Sequence, residues 1–403
     1  MRVLFLTNLL PYPLDNGGKI KTYTTLKALS DAGHNIDLLC FKETNKSIEE
    51  NESKILKLCR TVKQVYLPLT TADHKKYMVG VAIKSVFSTL PFSIYKYQSE
   101  EMLQELSAKK SVGYDVVYFD HLPMCIYLSN AQNFWPTAKM ILDEHNCEAT
   151  IANRKANEAS NLAKKVFLKL ESFKLEKYET KTIDSVDKTI VLSKEDYTSL
   201  EKMRHKSFNH CIIPIGVPDR GMKSNEQHNR LNVLFIGTLT WEPNNSGLIW
   251  FLKEVMPLLV RRSFNFHLYI VGKNPSKEVC ELSEQYKENI TVTGYVDFVD
   301  YYYDICDCTI VPLFVGSGQR VKLIEAFSKG MPAISTTIGA EGLEYQDKQS
   351  ILIADNKFEF ADYIVMLQKR EIRERLGNNS REIYDKYYSP YTISNMIKKS
   401  VEE

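Results

Sequence analysis

The 403-residue sequence has no uninterrupted run of about 20 apolar residues, the length a helix needs to cross a bilayer, so no membrane-spanning helix is expected. No long apolar stretch follows Arg2 either, and a cleaved signal peptide is not expected. The chain also lacks an excess of one charge: 52 Lys and Arg stand against 50 Asp and Glu, a formal net charge of +2. That excludes a global field for nucleic acid, and any basic site has to be local. The eight cysteines (Cys40, Cys59, Cys125, Cys147, Cys211, Cys280, Cys306 and Cys308) lack the paired spacing of a zinc ribbon or a redox pair, and most read as reduced core residues. Cys306 and Cys308 alone lie close together. A strand there would point both to one face, but no second pair completes a metal site.

What is present is a globular composition, 44% hydrophobic and 25% charged. At roughly 100–200 residues per domain the chain should hold two substantial cores. Short runs rich in Val, Ile, Leu and Tyr recur: 3–6, 36–41, 116–119, 140–142, 189–192, 233–236, 268–271, 290–293, 309–313, 333–336 and 351–354. They read as buried parallel strands, and the longer stretches of helical period between many of them predict a doubly wound α/β fold. The segment 214–230, PIGVPDRGMKSNEQHNR, has two Pro, two Gly and little that suits a core, so it reads as an interdomain linker. After it LNVLFIGTL restarts the pattern with which RVLFLTNLL opened. The expected organisation is an N-terminal lobe over 1–213 and a C-terminal lobe over 231–388. A short amphipathic helix within 389–403, with Ile393, Met396, Ile397 and Val401 on one face, is expected to dock back on the N-terminal lobe.

Two segments carry chemistry. Asn16, Gly17 and Gly18 precede a helix with Tyr23, Leu26 and Leu29 on one face and Gly33 as its stop. Such a turn lets backbone approach a ligand and offers helix amides to an anion, though a plain turn would look the same. Pro11, Tyr12 and Pro13 replace the glycines of a dinucleotide fingerprint, which argues against an NAD or FAD enzyme. The second segment is TIVPLFVGSGQRVKLIEAFSKGMPAISTTIGAEGL, residues 309–343. A strand ends at Phe314, the Gly316-Ser317-Gly318 turn follows, and Arg320 and Lys322 stand where a helix begins, with Glu325 one turn inside. Two cations beside free helix amides suit a diphosphate, and a carboxylate is a good acceptor for vicinal hydroxyls such as those of a ribose. Together they point to a nucleotide. An ordinary surface pair between Lys322 and Glu325, three apart, is the competing reading.

On GSGQRVKLIEAFSKGMPAISTTIGAEGL, together with NGGKIKTYTTLKALSDAGH, LDEHN and FIGTLTWEPNNSGLIWFL, the sequence resembles bacterial retaining glycosyltransferases of family four, over nearly its whole length and in the same order. The resemblance implies the GT-B architecture: two Rossmann-like doubly wound lobes with an interlobe cleft, the C-terminal one for a nucleotide-diphospho-sugar and the N-terminal one for the acceptor. By position, Arg320 and Lys322 would hold the diphosphate, Glu325 the ribose, and Gly17 and Gly18 would lie against the phosphates. His145 would be the active-site histidine near the transferred sugar, and Gly294 and Tyr295 would meet the base. The substrate would be the nucleotide-diphospho-sugar, with no cofactor and no metal required. Two departures stand out. Ser317 occupies the place of the first acid of the family's paired-Glu signature, and GTLTWEPNNSG lacks the Arg and Lys that many members carry in that loop.

The implied reaction moves a hexosyl group to a saccharide or lipid-linked acceptor in cell-surface polysaccharide or glycolipid synthesis. A nucleotide-sugar epimerase, or a catalytically silent sugar-nucleotide-binding partner, remain alternatives. The expected compartment is the cytoplasm, with contact to the inner face of the cell membrane left open. Residues 54–96 carry eight Lys or Arg against one acid, interleaved with Tyr77, Met78, Val79, Val81, Ile83, Val86, Phe87 and Leu90, a mixture suited to an anionic membrane surface. Residues 154–181 carry eight cations against four acids and read as a solvated helix face.

Overall fold

The computed structural model describes residues 1–403 except 44–48, 69–74, 159–160, 224–228 and 317. The chain divides into two compact units, Met1–Ile215 with Ile393–Glu403, and Gly216–Thr392. The first holds seven parallel strands: β1 (Arg2–Thr7), β2 (Asn35–Lys42), β3 (Thr61–Tyr66), β4 (Val116–Asp120), β5 (Lys139–Glu144), β6 (Lys188–Val191) and β7 (His210–Ile212), in the order β3-β2-β1-β4-β5-β6-β7. The second holds six: β8 (Leu231–Ile236), β9 (Phe266–Val271), β10 (Ile290–Gly294), β11 (Cys308–Val311), β12 (Ala333–Ser335) and β13 (Leu352–Ile353), in the order β10-β9-β8-β11-β12-β13.

Both sheets are buried on both faces, which is why their strands read as unbroken apolar runs. In the first unit Leu4, Leu6, Leu39, Phe119 and Leu142 face one core, while Val3, Phe5, Leu38, Tyr118 and Ile141 face the other, alternating along each strand as the pleat requires. The helix Pro390–Glu402 completes the second of these cores by inserting Ile393, Ile397 and Val401 beside Val3, Ile36 and Ile190. Lys188 Nζ anchors it by donating to Ser400 O at 3.0 Å.

One expectation needs correction. Cys306 and Cys308 do not share a face. Cys306 precedes β11 as the cap of the helix Asp300–Ile305 and packs with Leu234 and Ile236, whereas Cys308 lies in the core of Val233 and Phe235. The stretch read as a linker is also more firmly held than its composition implies, and 224–228 lie outside the described residues. Val217 is buried, its carbonyl accepting from Tyr384 Oη at 3.0 Å, and Asp219 takes a bidentate pair from Arg381. Among the described residues no helix is long and apolar enough to cross a membrane.

Candidate active site

In each sheet the first strand of the unit has its next strand on one side and a later strand on the other. β8 pairs with both β9 and β11, and β1 with both β2 and β4. Chains leaving the two central strands diverge at their carboxyl ends and open a crevice, the place where doubly wound sheets hold ligands. A polar cluster occupies that place in each unit.

In the C-terminal unit the crevice lies between Gly237, after β8, and the turn after β11. The turn needs glycine at 316 and 318, whose φ angles are +120° and +80°. Gly316 also leaves room for the Arg320 guanidinium, since a Cβ there would lie 3.0 Å from Nη2. Arg320 is buried, donates from Nη1 to Gly318 O at 2.7 Å, and lies 5.6 Å from the centre of the Trp241 ring. It is the N-cap residue of the helix Val321–Ser328 and its side chain makes no capping bond, so among the described residues the helix presents first-turn amide groups at the crevice.

Lys322 reaches from that helix to the end of β8. Its Nζ donates to Asn244 Oδ1 at 2.9 Å, and a Cβ on Gly237 would stand 2.7 Å from it. Burial, and then the neighbouring Arg320 charge, push this amine down to about 7. Glu325 turns the other way, its Oε1 pairing with Arg220 Nη2 at 2.6 Å and its Oε2 accepting from Tyr303 Oη at 3.1 Å. Lys322 and Glu325 thus face different partners rather than forming a surface pair. Gly294, at the end of β10, accepts from Gly272 N at 3.0 Å, and a Cβ on Gly272 would meet Gly237 O at 2.0 Å, so the ends of β8, β9 and β10 converge through backbone alone. Tyr295 beside them is exposed. Ser317 lies outside the described residues.

In the N-terminal unit the crevice is organised by a residue that sequence reading missed. Asp120, fully buried at the end of β4, accepts on Oδ2 from Thr7 Oγ1 at 2.6 Å, Thr22 Oγ1 at 2.7 Å and His121 Nδ1 at 3.2 Å, and on Oδ1 from His145 Nε2 at 2.8 Å. The two imidazole rings lie 3.5 Å apart, centre to centre. Gly18 closes over them, with a Cβ there 3.5 Å from His121 Nε2 and 3.9 Å from His145 Nδ1. Gly17 opens the helix that carries Gly18, and Asn16 caps it by accepting from Lys19 N at 3.0 Å. His121 has φ +77°, a conformation that a non-glycine residue adopts at a cost and keeps where its surroundings fix it.

The electrostatics divide the two histidines. Burial disfavours ionised Asp120, but the two histidines outweigh it and hold the carboxyl well below its usual range. Burial likewise opposes charge on His121, yet Asp120 wins and its pKa is raised, whereas burial and the charge of His121 lower that of His145. The result is one imidazole that favours the cationic form beside one that favours the neutral form. His145 Nδ1 has no hydrogen-bond partner among the described residues. Asp120, His121 and His145 have ligand atoms within 4.8 Å of one another and could gather round a cation, but both Asp120 oxygens, His121 Nδ1 and His145 Nε2 already serve the hydrogen bonds just described. The acids beside His145 have separate work. Asp143 pairs with buried Lys21 at 3.0 Å and accepts from Tyr118 Oη, while burial, and then Glu179, drive Glu144 well above the usual carboxylate range.

Sequence reading found Arg320, Lys322 and Glu325 because they share one turn of chain. Asn244, Arg220 and Tyr303 reach the same cluster from other elements. Asp120 and His121 did have a signal, VYFDH, two polar residues ending a buried strand.

Two doubly wound units of parallel strands, each with a polar cluster at its switch point, are the GT-B architecture of glycosyltransferases. Residues 230–370 match the family Glycosyl transferases group 1. The C-terminal unit therefore carries a glycosyltransferase domain, and the chain is a transferase enzyme. Over 400 residues it is 26% identical to a 44.6 kDa protein in the cps region of Klebsiella pneumoniae, with 97% of each chain covered. Its fold is similar to that of sucrose-phosphate synthase from Thermosynechococcus elongatus, with a TM-score of 0.70, 16% identity, and 99% of this chain and 98% of that one covered. It is similar as well to HepE of Anabaena in complex with UDP, with a TM-score of 0.69, 11% identity and all of both chains covered.

Proposed function

We propose that the protein is a retaining glycosyltransferase that moves a hexosyl group from a nucleotide-diphospho-sugar to a saccharide or lipid-linked acceptor in cell-surface polysaccharide or glycolipid synthesis. The observation that carries this reading is the position of Arg320 and Lys322 at the N-terminus of the helix Val321–Ser328, which the Arg320 side chain does not cap, on the switch point of the group 1 domain. As the bond between the anomeric carbon and phosphate stretches, the leaving diphosphate gains negative charge. Fixed cations and amides stabilise that charge more in the transition state than in the ground state. Lys322, its pKa lowered by burial to about 7, takes up a proton as the diphosphate arrives wherever it is not already charged. Glu325, held between Arg220 and Tyr303, accepts from ribose hydroxyls in this reading.

The glycine backbone at 316 and 318 lines the diphosphate, and Gly294 with Tyr295 meets the base. In the N-terminal unit Gly17 and Gly18 approach the phosphates, His145 Nδ1 accepts from a sugar or acceptor hydroxyl, and His121 supplies positive charge. Retention follows if the acceptor attacks from the face the phosphate leaves, with a phosphate oxygen taking its proton. No covalent glycosyl-enzyme and no metal are then needed. The UDP bound by HepE supports a nucleoside diphosphate leaving group, and the cps-region relative supports a polysaccharide context. The working place in this reading is the cytoplasm, with peripheral contact to the inner membrane surface.

The test is a panel of nucleotide-hexoses with the purified protein, following nucleoside diphosphate release and the anomeric configuration of the product by NMR. Release with a retained configuration is expected. Inversion would overturn the retaining reading, and absence of release with every donor would overturn transfer.

A further inference from the structure

The helices Lys75–Val86 and Leu162–Ser185 of the N-terminal unit leave apolar side chains in solvent in an ordered way. On the second, Leu162, Val166, Leu170 and Phe173 recur at i, i+4, i+8 and i+11 and so share one face. Leu162 is 76% exposed, Val166 63% and Phe173 55%. On the first, Val79, Ile83 and Val86 repeat the spacing and lead into Phe87, 88% exposed, while Met78, Val81 and Ser85 on the opposite face are buried. The two stripes are tied together. Lys174 Nζ donates to Ser85 O at 2.8 Å and Val86 O at 3.1 Å, which sets the turn carrying Phe173 beside Val86 and Phe87.

A run of exposed large apolar residues on this scale marks an interaction surface. We infer that this two-helix face docks the N-terminal unit on an anionic phospholipid bilayer. The charge around the stripes selects that occupant. Lys84 on the first helix and Lys164, Lys165, Lys169 and Lys177 on the second are exposed, and Lys177 Nζ lies 4.3 Å from the centre of the Phe173 ring. Apolar side chains can enter the acyl boundary while lysines beside them meet lipid phosphates. A second copy of the same face would set these lysines against one another.

The structure thereby redraws both basic stretches. Within 154–181, the outer side of the helix Leu162–Ser185 is solvated as the charge implies, but an apolar stripe runs along it. In 54–96, Lys54 is drawn to Tyr12, Arg60 pairs with Asp37, and Lys63 pairs with Glu105, so those cations serve the unit's own structure.

This inference rests on the peripheral-membrane part of the proposed function and not on the transfer chemistry. The test is co-sedimentation of the full chain with vesicles of phosphatidylcholine alone or with 30 mol% phosphatidylglycerol, about that fraction being enough to set a negative surface potential, at low and high salt. Strong binding only to the anionic vesicles at low salt is expected. The variant Leu162→Ser/Val166→Ser and the variant Lys164→Glu/Lys165→Glu should each lower the partition about tenfold. Both should keep the parent's thermal melt and its nucleoside diphosphate release, since these residues are exposed and remote in sequence from the cluster at Asp120. Equal binding by parent and variants, or no binding to either vesicle, would overturn the docking face while leaving the transferase reading intact. Lipid-free dimers that either variant abolishes would overturn it in favour of self-association.

Discussion

Lys322 and Asn244 are joined at 2.9 Å across the space that a side chain on Gly237 would need. The contact brings the amine of one helix to the end of the neighbouring strand, where it stands partly buried beside Arg320 with its pKa at about 7. In the proposed donor complex the diphosphate beside this amine favours the protonated form and raises that pKa. Donor affinity should therefore be greatest at and below neutral pH and weaken as pH rises above about 7, because a growing share of the free protein must first acquire a proton. Calorimetry at about pH 8 in buffers of different ionisation enthalpy should show uptake approaching one proton per donor bound. Lys322→Met should abolish the uptake, and equal heats in all buffers would show that the amine does not meet the diphosphate.

Removing either cation tests the transition-state role itself. Arg320→Ala and Lys322→Ala should each lower turnover by roughly two orders of magnitude or more, the scale of losing a preorganised electrostatic group. Glu325→Ala should behave differently, raising the donor KM with a much smaller change in kcat, because a ribose contact is made equally in ground and transition states. Steady-state kinetics on the three variants separates these outcomes. Parent-like rates in an Arg320→Ala/Lys322→Ala double variant would remove the assignment.

The residues that sequence reading recovered and those it missed differ in how their signals are distributed along the chain. The strands buried on both faces announced themselves as apolar runs. β3 and β7, the two edges of the first sheet, did not: TVKQVY mixes polar residues into its run and HCI is only three residues long. The α/β class followed from the runs that were legible, the edge strands β10 and β13 of the second sheet among them. Arg320, Lys322 and Glu325 were legible because a strand, a glycine turn and a helix start put them within six residues of one another. Arg220 was not, since it sits in a polar segment whose composition says linker and whose contact with Glu325 spans more than a hundred residues. Asp120 was overlooked for a related reason: a carboxylate ending a strand is unremarkable until the sheet order makes β4 the neighbour of β1 and brings Thr7, Thr22 and two histidines around it.

Glycine positions separate site from scaffold. A methyl group on Gly237 would meet Asn244 Nδ2 at 2.6 Å and Lys322 Nζ at 2.7 Å, both ends of side chains that can swing away. Gly237 also has φ +157°, which a side chain adopts only with strain, so Gly237→Ala should cost the fold about 1–3 kcal/mol for overpacking and about 1–3 kcal/mol for the backbone while displacing the amine proposed to hold the donor, so that donor affinity falls by more than the melting temperature implies. A methyl group on Gly247 would meet Pro312 O at 2.0 Å, and backbone cannot swing away. Gly247→Ala should lose the C-terminal unit's stability and donor binding together. Thermal melts paired with donor titrations distinguish the two patterns.

The Asp120 cluster should leave a pH signature in stability. Its carboxyl is depressed on folding, so the stabilisation it gives is present above the unfolded carboxylate pKa of about 3.9 and fades as pH falls through the folded value. His121 is raised, so its share is complete below the unfolded histidine pKa of about 6.5 and fades as pH rises through the folded value. Between those limits the charged pair contributes in full. Asp120→Asn keeps the shape but removes the charge that sustains the imidazolium, and should cost about 1.5–3 kcal/mol near pH 6, the range for hydrogen bonds to a charged group. At a pH above the raised His121 value, where the parent has itself lost the imidazolium, the difference should shrink. Urea melts of parent and variant at both pH values measure this directly. A difference that stays constant with pH would mean that His121 is not charged against Asp120 in the folded protein.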